Sequence, residues 1–192
     1  MGSATGVIRP LCGLQWSIQG SAQRIEQMII WRQGFDGRWK PANLAAATVR
    51  TVGISLEQAV CANWFRWQGG VDWTEARNGS GERTTDGKYL VFRAPRTARL
   101  ALRSGWRGLD AAVGYSWVER RPATESNSKW LDAYELVNAR VSYSWPMQRA
   151  ELRMTAGAEN LFEEDYRTVR FAPMPLREVY LELSVTDLAG GR

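Results

Sequence analysis

The chain has 192 residues, a formal net charge of +5, 44% hydrophobic residues and 23% charged residues. This composition is too apolar for a disordered segment. The complete absence of histidine excludes Ser-His and Cys-His catalysis and histidine-ligated metal sites. No stretch approaches the ~18 apolar residues of a membrane-spanning helix.

Residues 1–12 are predicted to be an irregular N-terminal segment, because they show no clear period. They also lack the charged region and apolar core of a secretory signal. Taken alone, this start predicts a cytoplasmic chain. Any other location requires an export signal outside the sequence.

From residue 13 to residue 186, apolar and polar residues alternate with the two-residue period of a β-strand that has two different faces. We predict eight strands in this region and a short tail at 187–192. The fold class is therefore all-β, an antiparallel meander of about eight long strands. The predicted apolar faces are Leu14, Trp16 and Ile18; Val52, Ile54 and Leu56; Phe65, Trp67, Gly69, Val71 and Trp73; Ala98, Leu100 and Leu102; Leu109, Ala111, Val113, Tyr115 and Trp117; Val137, Ala139, Val141, Tyr143 and Trp145; Leu152, Met154, Ala156 and Ala158; and Val179, Leu181, Leu183 and Val185.

The predicted connections alternate in length along the chain. Short turns are expected at 58–63, 104–108 and 145–150, and long polar loops at 32–43, 75–96, 119–133 and 163–178. Short turns at one end and long loops at the other are typical of an outer-membrane β-barrel.

Three features favour lipid outside and water inside over a soluble β-fold with a dry core. Aromatic residues collect towards strand ends, as in the girdles of membrane barrels: Trp73, Trp106, Tyr115, Trp117, Tyr143 and Trp145. Charged residues occupy the polar face in mid-strand: Arg66, Arg99, Arg103, Arg140, Arg153 and Glu182. Small residues that would pack a protein core poorly occupy the apolar face: Gly69, Ala98, Ala111, Ala139 and Ala156.

The segment GAENLFEEDYR (157–167), followed by FAPMPLREVYLELSV (171–185), resembles the closing strands of TonB-dependent outer-membrane receptors. Pro175-Leu176-Arg177 stands where the family usually has Pro-Gly-Arg. Upstream, 39–57, 87–106 and 132–145 are similar to successive barrel strands of the family, with Ser55 in place of its usual Glu. The resemblance covers residues 13–186, in the C-terminal part of the barrel.

The resemblance implies an outer-membrane receptor that takes up a ferric siderophore, cobalamin or a similar nutrient, and no enzyme activity. Its expected partners are the lipid bilayer, the TonB system, the outer-membrane assembly machinery and the ligand. Neither plug domain nor TonB box is recognisable, and a family barrel has about 22 strands. We therefore expect a truncated or split product that cannot transport alone. The ending TDLAGGR also departs from the family's terminal aromatic residue.

The acidic residues Glu163, Glu164 and Asp165 allow two interpretations. They can form a catalytic carboxylate pair, or they can mark where a strand leaves the bilayer after Asn160, Leu161 and Phe162. The boundary marker is favoured, because a catalytic pair needs a partner with a raised pKa that the sequence does not show. GERTTDGKY (81–89) fails the spacing of a phosphate-binding loop and is interpreted as an ordinary loop.

No catalytic, ligand-binding or metal-binding residue is assigned, and no cofactor is expected. The arginines of the polar face either line a path for an anion or satisfy neighbouring carboxylates, and the second is favoured. Basic residues are scattered, so no nucleic-acid partner is predicted. Cys12 and Cys61 form either one disulfide or two free thiols, with free thiols favoured.

Two rival folds stay open at this point. One is a complete eight-stranded outer-membrane barrel with a structural or adhesive role. The other is a soluble β-fold that binds a small ligand or nucleic acid. The direction in which the apolar face points separates the soluble fold from the membrane folds.

Overall fold

A computed structural model of the protein describes residues 2–8, 13–33, 37–60 and 64–187. All the regular secondary structure in these ranges is β-strand. The strands are β1 (Gly2–Ile8), β2 (Leu14–Gln33), β3 (Trp39–Val60), β4 (Phe65–Asn78), β5 (Arg96–Trp106), β6 (Leu109–Val118), β7 (Arg121–Pro122), β8 (Trp130–Leu131), β9 (Tyr134–Pro146), β10 (Ala150–Glu159), β11 (Arg167–Val169), β12 (Ala172–Pro173) and β13 (Glu178–Asp187).

Nine of these strands form one antiparallel sheet in the order β1-β2-β3-β4-β5-β6-β9-β10-β13. The pairs β7-β8 and β11-β12 are separate two-stranded sheets within long connections. The predicted all-β meander is confirmed. The eight predicted strands correspond to β2, β3, β4, β5, β6, β9, β10 and β13.

Two predictions differ from the structure. The segment 1–12, predicted to be irregular, contains β1, whose residues pair from Gly2 opposite Ala22 to Ile8 opposite Trp16. Its mostly small residues give no clear alternation of apolar and polar side chains. The strand is formed by backbone pairing to β2, which side-chain periodicity does not predict. The long loop predicted at 32–43 is largely strand, because β2 reaches Gln33 and β3 begins at Trp39. Cys12 and Cys61 lie outside the described residues.

The register places the predicted apolar residues side by side on one face of the sheet. Ile18 lies opposite Ile54, and Ile54 lies opposite Val71. Val71 lies opposite Ala98, and Ala98 lies opposite Trp117. We call this surface the apolar face and the other side of the sheet the polar face.

The apolar face is not covered by other parts of the described chain. Val141 is 45% exposed and Leu183 is 65% exposed. The accessible surface is 13,630 Å², whereas a folded soluble protein of 21.7 kDa is expected to expose about 9,200 Å². This large apolar exposure contradicts the soluble β-fold with a dry core.

The two edges of the sheet are not paired with each other. Within the described ranges, β1 pairs only with β2, and β13 pairs only with β10. The structure therefore does not show the complete small barrel that was one of the rival predictions. No helix among the described residues is long and apolar enough to cross a membrane.

Candidate functional site

The apolar face forms a band whose height fits a bilayer. On β5, β6 and β9 it covers 98–106, 109–117 and 137–145, about nine residues each. Nine residues rise roughly 27–30 Å along a strand, which becomes about 20–23 Å at the tilt of ~40° typical of membrane barrels. This height is close to the ~25 Å apolar band of such barrels.

Aromatic residues lie at both borders of this band. Tyr143 and Trp145 stack edge to face, with ring centroids 4.4 Å apart, at the end with the short turns. Trp73 and Trp117 lie at the end with the long loops, opposite Arg96 and Glu135 respectively. The predicted girdle is therefore found at two levels of the sheet.

On the apolar side, charged pairs replace apolar contacts just beyond Trp73 and Trp117, at the end of the sheet with the long loops. The Nε and Nη2 atoms of Arg96 donate to the two carboxylate oxygens of Glu119 at 2.9 and 2.7 Å. These bonds hold the pKa of Glu119 below its ordinary value. Arg50 and Glu75 form a second pair at 3.7 Å. The change from apolar to ionic contacts marks the transition from lipid to water.

The polar face carries ion pairs and hydroxyl contacts across neighbouring strands. Three arginines have carboxylate partners on this face: Arg66 with Glu57 at 3.6 Å, Arg99 with Asp72 at 3.5 Å, and Arg153 with Asp110 at 2.9 Å. The prediction that these arginines satisfy carboxylates holds for these three. Arg103 and Arg140 form no ion pair within the part of the chain that the structure describes.

Three long connections emerge from the same end of the sheet and form what we call the loop layer. They are 79–95, 119–133 and 160–177. Asn127 joins the first two: its Oδ1 accepts from the backbone N–H of Tyr89 at 2.8 Å, and its Nδ2 donates to the Tyr89 carbonyl at 2.9 Å. The carbonyl of Asn127 also accepts from the indole N–H of Trp130 at 2.9 Å. The first two loops are therefore fixed to each other.

Arg121 joins the second and third loops. Its Nη2 donates to the backbone carbonyl of Arg167, and its guanidinium lies 5.1 Å from the ring centroid of Tyr134. The residue is only 3% exposed, and its Nη1 has no hydrogen-bond partner among the described residues. Burial lowers the pKa of Arg121. A buried donor without a partner costs free energy. A hydrogen-bond acceptor placed beside Nη1 of Arg121 would remove that cost.

A cavity of about 420 Å³ lies between these two loops. Tyr134 and Tyr166 stand together in its wall, with ring centroids 4.6 Å apart, and burial raises the pKa of Tyr166. The lining residues are Ala123, Lys129, Trp130, Leu131, Asp132, Ala133, Tyr134, Asp165, Tyr166, Arg167, Arg170 and Phe171. Aromatic walls with a few charges of both signs are typical of small-molecule sites. We call this space the loop cavity.

The acidic segment after Asn160 makes contacts that stabilise the turn at the end of β10. The carboxylate of Glu163 pairs with Arg177 at 2.9 Å, and Asp165 lines the loop cavity. Asn160 itself is buried, and its side chain bonds both the N–H and the carbonyl of Glu164 at 2.9 Å. These contacts fix the turn that ends β10, as expected for a strand boundary.

The segment 81–89 folds as a turn closed on itself. Gly81 and Gly87 have positive φ values of 74° and 69°. The N–H of Gly81 donates to Asp86 at 2.8 Å, and the hydroxyl of Thr85 donates to Glu82 at 3.1 Å. The two glycines therefore adopt the left-handed backbone conformation that the turn requires, in agreement with the interpretation as an ordinary loop. Nowhere in the described ranges do three or more Cys, Asp and Glu side chains gather closely enough to hold a metal ion.

Sequence reasoning assigned no ligand residue and missed Asn127, Arg121 and the loop cavity. These residues act across sequence separations of 38 and 46 positions. The local signal is limited to Trp130 and Tyr134, which lie where the predicted polar loop 119–133 meets the next strand. Contacts between loop residues so far apart in the sequence depend on how strand pairing brings the loops next to each other.

Comparison with known proteins identifies the architecture. The family model described as TonB dependent receptor-like, beta-barrel, matches residues 14–161. Vitamin B12 transporter BtuB of Vibrio cholerae serotype O1 is 24% identical over 176 residues, which cover 89% of this chain and 27% of that protein. BtuB of Photobacterium profundum is 29% identical over 160 residues, which cover 80% of this chain and 24% of that protein. The chain thus spans about a quarter of the length of the curated relatives it matches.

Solved structures show the same fold. The ferric preacinetobactin receptor BauA from Acinetobacter baumannii superposes with a TM-score of 0.72 at 14% sequence identity, over 93% of this chain and 28% of that receptor. Members of the matched family are outer-membrane β-barrel proteins, which agrees with the exposed apolar band described above. The chain belongs to the TonB-dependent receptor family, and its sheet is part of the family's β-barrel.

Proposed function

We propose that this chain is the part of an outer-membrane receptor barrel that helps to recognise and admit a bulky nutrient, with uptake energised through TonB. The observation that carries the proposal is the loop cavity, which is held by Arg121 and the Tyr134–Tyr166 pair at one end of a membrane-crossing sheet. The cavity has aromatic walls and lies beyond the membrane, at the end of the barrel wall with the long loops. Such a cavity suits capture of a ligand from outside the cell.

The chemical class that we propose for the ligand is a metal-bearing nutrient, either cobalamin or a ferric siderophore. The two curated relatives are named vitamin B12 transporters, and the solved neighbour is named a ferric preacinetobactin receptor. Cobalamin is therefore the first ligand to test. The charges of both signs around the cavity, such as Lys129 and Asp132, suit a ligand with amide, phosphate or carboxylate groups.

The open edges of the sheet support membership of a larger barrel. Unpaired strand edges are not tolerated in hydrocarbon, so β1 and β13 need further strands beside them. We propose that polypeptide outside these 192 residues supplies these strands and the contact with TonB. The sheet alone does not enclose a channel, and insertion needs the outer-membrane assembly machinery.

The test measures binding of radiolabelled cobalamin and of a panel of ferric siderophores to outer membranes that contain the protein. We expect saturable binding of at least one of these ligands. Phe171→Ala, which removes an aromatic ring from the cavity wall, is expected to weaken that binding about tenfold, because stacked aromatic area on the ligand is lost.

Phe162→Ala is the matched control. Phe162 is also an exposed phenylalanine of the loop layer, 74% exposed, but it does not line the cavity. Its replacement should leave the affinity within twofold of the unchanged protein. Equal affinities for the Phe171→Ala protein and the unchanged protein, or no binding of any ligand in the panel, would contradict the proposal.

A further inference from the structure

Three arginines lie along one row of the polar face, and two of them have no carboxylate partner among the described residues. Arg66 lies directly opposite Arg103; Arg103 lies opposite Ala112, and Ala112 lies opposite Arg140. Like charges on facing positions of a sheet are destabilising. Arg66 has Glu57 as a partner at 3.6 Å, but Arg103 and Arg140 form no ion pair among the described residues.

These arginines line one cavity of about 310 Å³. Arg153 and Asp110 also line it, and they neutralise each other at 2.9 Å. The small residues Ala112 and Gly105 leave the space open. The cavity therefore presents two guanidinium groups, of Arg103 and Arg140, that have no ion-pair partner among the described residues, beside Arg66, which is paired with Glu57.

The position of this cavity separates it from the loop cavity. It lies near the short turns, since Trp64 lines it and the N–H of Gly105 donates to the Trp64 carbonyl at 2.8 Å. The loop cavity lies at the opposite end of the strands. The row of arginines thus has no part in the outer recognition site proposed above.

We propose that Arg103 and Arg140 form a binding site for an oxyanion with at least two acidic groups, of the carboxylate or phosphate class. Guanidinium groups bind such anions through paired hydrogen bonds. Neighbouring strands lie about 4.8 Å apart, so the two arginines are roughly 10 Å apart along the row. Side chains of their length can converge on one ligand of that size. The anion comes either from solution or from carboxylate side chains of polypeptide placed inside the barrel.

The test is calorimetric titration of the protein, purified in a nonionic detergent, with three probes. Inorganic pyrophosphate and tricarballylate represent free anions, and the blocked dipeptide acetyl-Glu-Glu-amide represents polypeptide carboxylates. Saturable binding of at least one probe is expected. Binding of pyrophosphate or tricarballylate indicates a free anion as the occupant, and binding of the dipeptide alone indicates a polypeptide segment.

Arg103→Gln and Arg140→Gln are each expected to weaken binding at least tenfold. Arg99→Gln is the matched control, because Arg99 lies on the same face and pairs with Asp72 outside this cavity; it should stay within twofold. Binding to the unchanged protein should also weaken steeply as salt is raised, which tests the charge without any substitution. Heat-modifiable gel migration verifies that each variant is folded.

Three results would overturn the inference: no probe binds, the binding does not depend on salt, or Arg99→Gln weakens binding as much as the two cavity variants. None of these results bears on the loop cavity, which is tested with cobalamin and siderophores. Conversely, loss of nutrient binding in the Phe171→Ala protein leaves the oxyanion site unaffected.

Discussion

Asn160 shows how one side chain ends a strand of the barrel. Its φ of 47° turns the chain at the end of β10, and its N–H donates to the side chain of Asn138 at 2.9 Å. Its amide group bonds the backbone of Glu164 in both directions at 2.9 Å. Asparagine suits this position because it tolerates a left-handed backbone and offers both a donor and an acceptor.

We expect Asn160→Ala to lower the free energy of unfolding by about 2–3 kcal/mol, since the partly buried backbone groups of Glu164 lose their partners. The measurement is urea-induced unfolding in detergent micelles, followed by tryptophan fluorescence. Glu163→Gln is the control, because the Glu163–Arg177 pair is largely exposed and such pairs contribute little. If the Asn160→Ala and Glu163→Gln proteins are equally stable, the turn does not depend on this asparagine.

Gly157, at the start of the same motif, has a role that the sequence did not reveal. It lies opposite Tyr180 on the polar face, and a Cβ at this position would overlap the Tyr180 ring. Glycine in a strand often marks such a close approach. The sequence predicted the strand containing Gly157 and the boundary at Asn160 to Phe162. It did not predict these contacts, because the partners Tyr180 and Asn138 come from neighbouring strands.

At the level of the strand, the two-residue period was sufficient to predict the elements that cross the membrane. The eight strands and their apolar faces agree with the observed register, because lipid on one side and polar contacts on the other impose alternation. The period fails where this contrast is missing. β1 is built mostly of small residues, and β2 and β3 extend beyond the apolar band into segments without alternation, such as the consecutive apolar residues 28–31 of β2. The short strands of the loop layer pair locally, β7 with β8 and β11 with β12, and their two or three residues are too few to show a period.

Two adjacent residues of β6 test which side of a strand meets lipid. Val113 lies in the middle of the apolar band and is 42% exposed, whereas Gly114 lies on the polar face with open space around it. Val113→Arg should destabilise the protein by about 2–4 kcal/mol, the cost of placing arginine against mid-bilayer hydrocarbon. Gly114→Arg should change the stability by less than about 1 kcal/mol.

Both variants are compared by urea-induced unfolding in lipid vesicles. The Gly114→Arg protein controls for the size and charge of arginine at the same depth. A Gly114→Arg protein that is destabilised as much as the Val113→Arg protein would mean that the two faces do not differ in their surroundings.

For the whole molecule, exposed apolar surface and open sheet edges have a common explanation. A sheet that buries little of its own surface is unfavourable in water but suits a barrel wall, where lipid covers one face and further strands cover the edges. The fold class and the family resemblance followed from the sequence, because alternation and strand-end motifs are local. The two cavities could not be predicted, since each depends on side chains that the register and the loops bring together.

The most direct test of this account is a spin-label scan of β9 in lipid vesicles, in a variant whose Cys12 and Cys61 are replaced by serine. Single cysteines are placed in turn from Asn138 to Ser144 and labelled with a nitroxide. We predict that collision with oxygen, which concentrates in lipid, is highest at 139, 141 and 143, and that collision with a water-soluble nickel complex is highest at 138, 140, 142 and 144. Equal accessibility along the strand, or the opposite phase, would contradict the assignment of the apolar face to the bilayer.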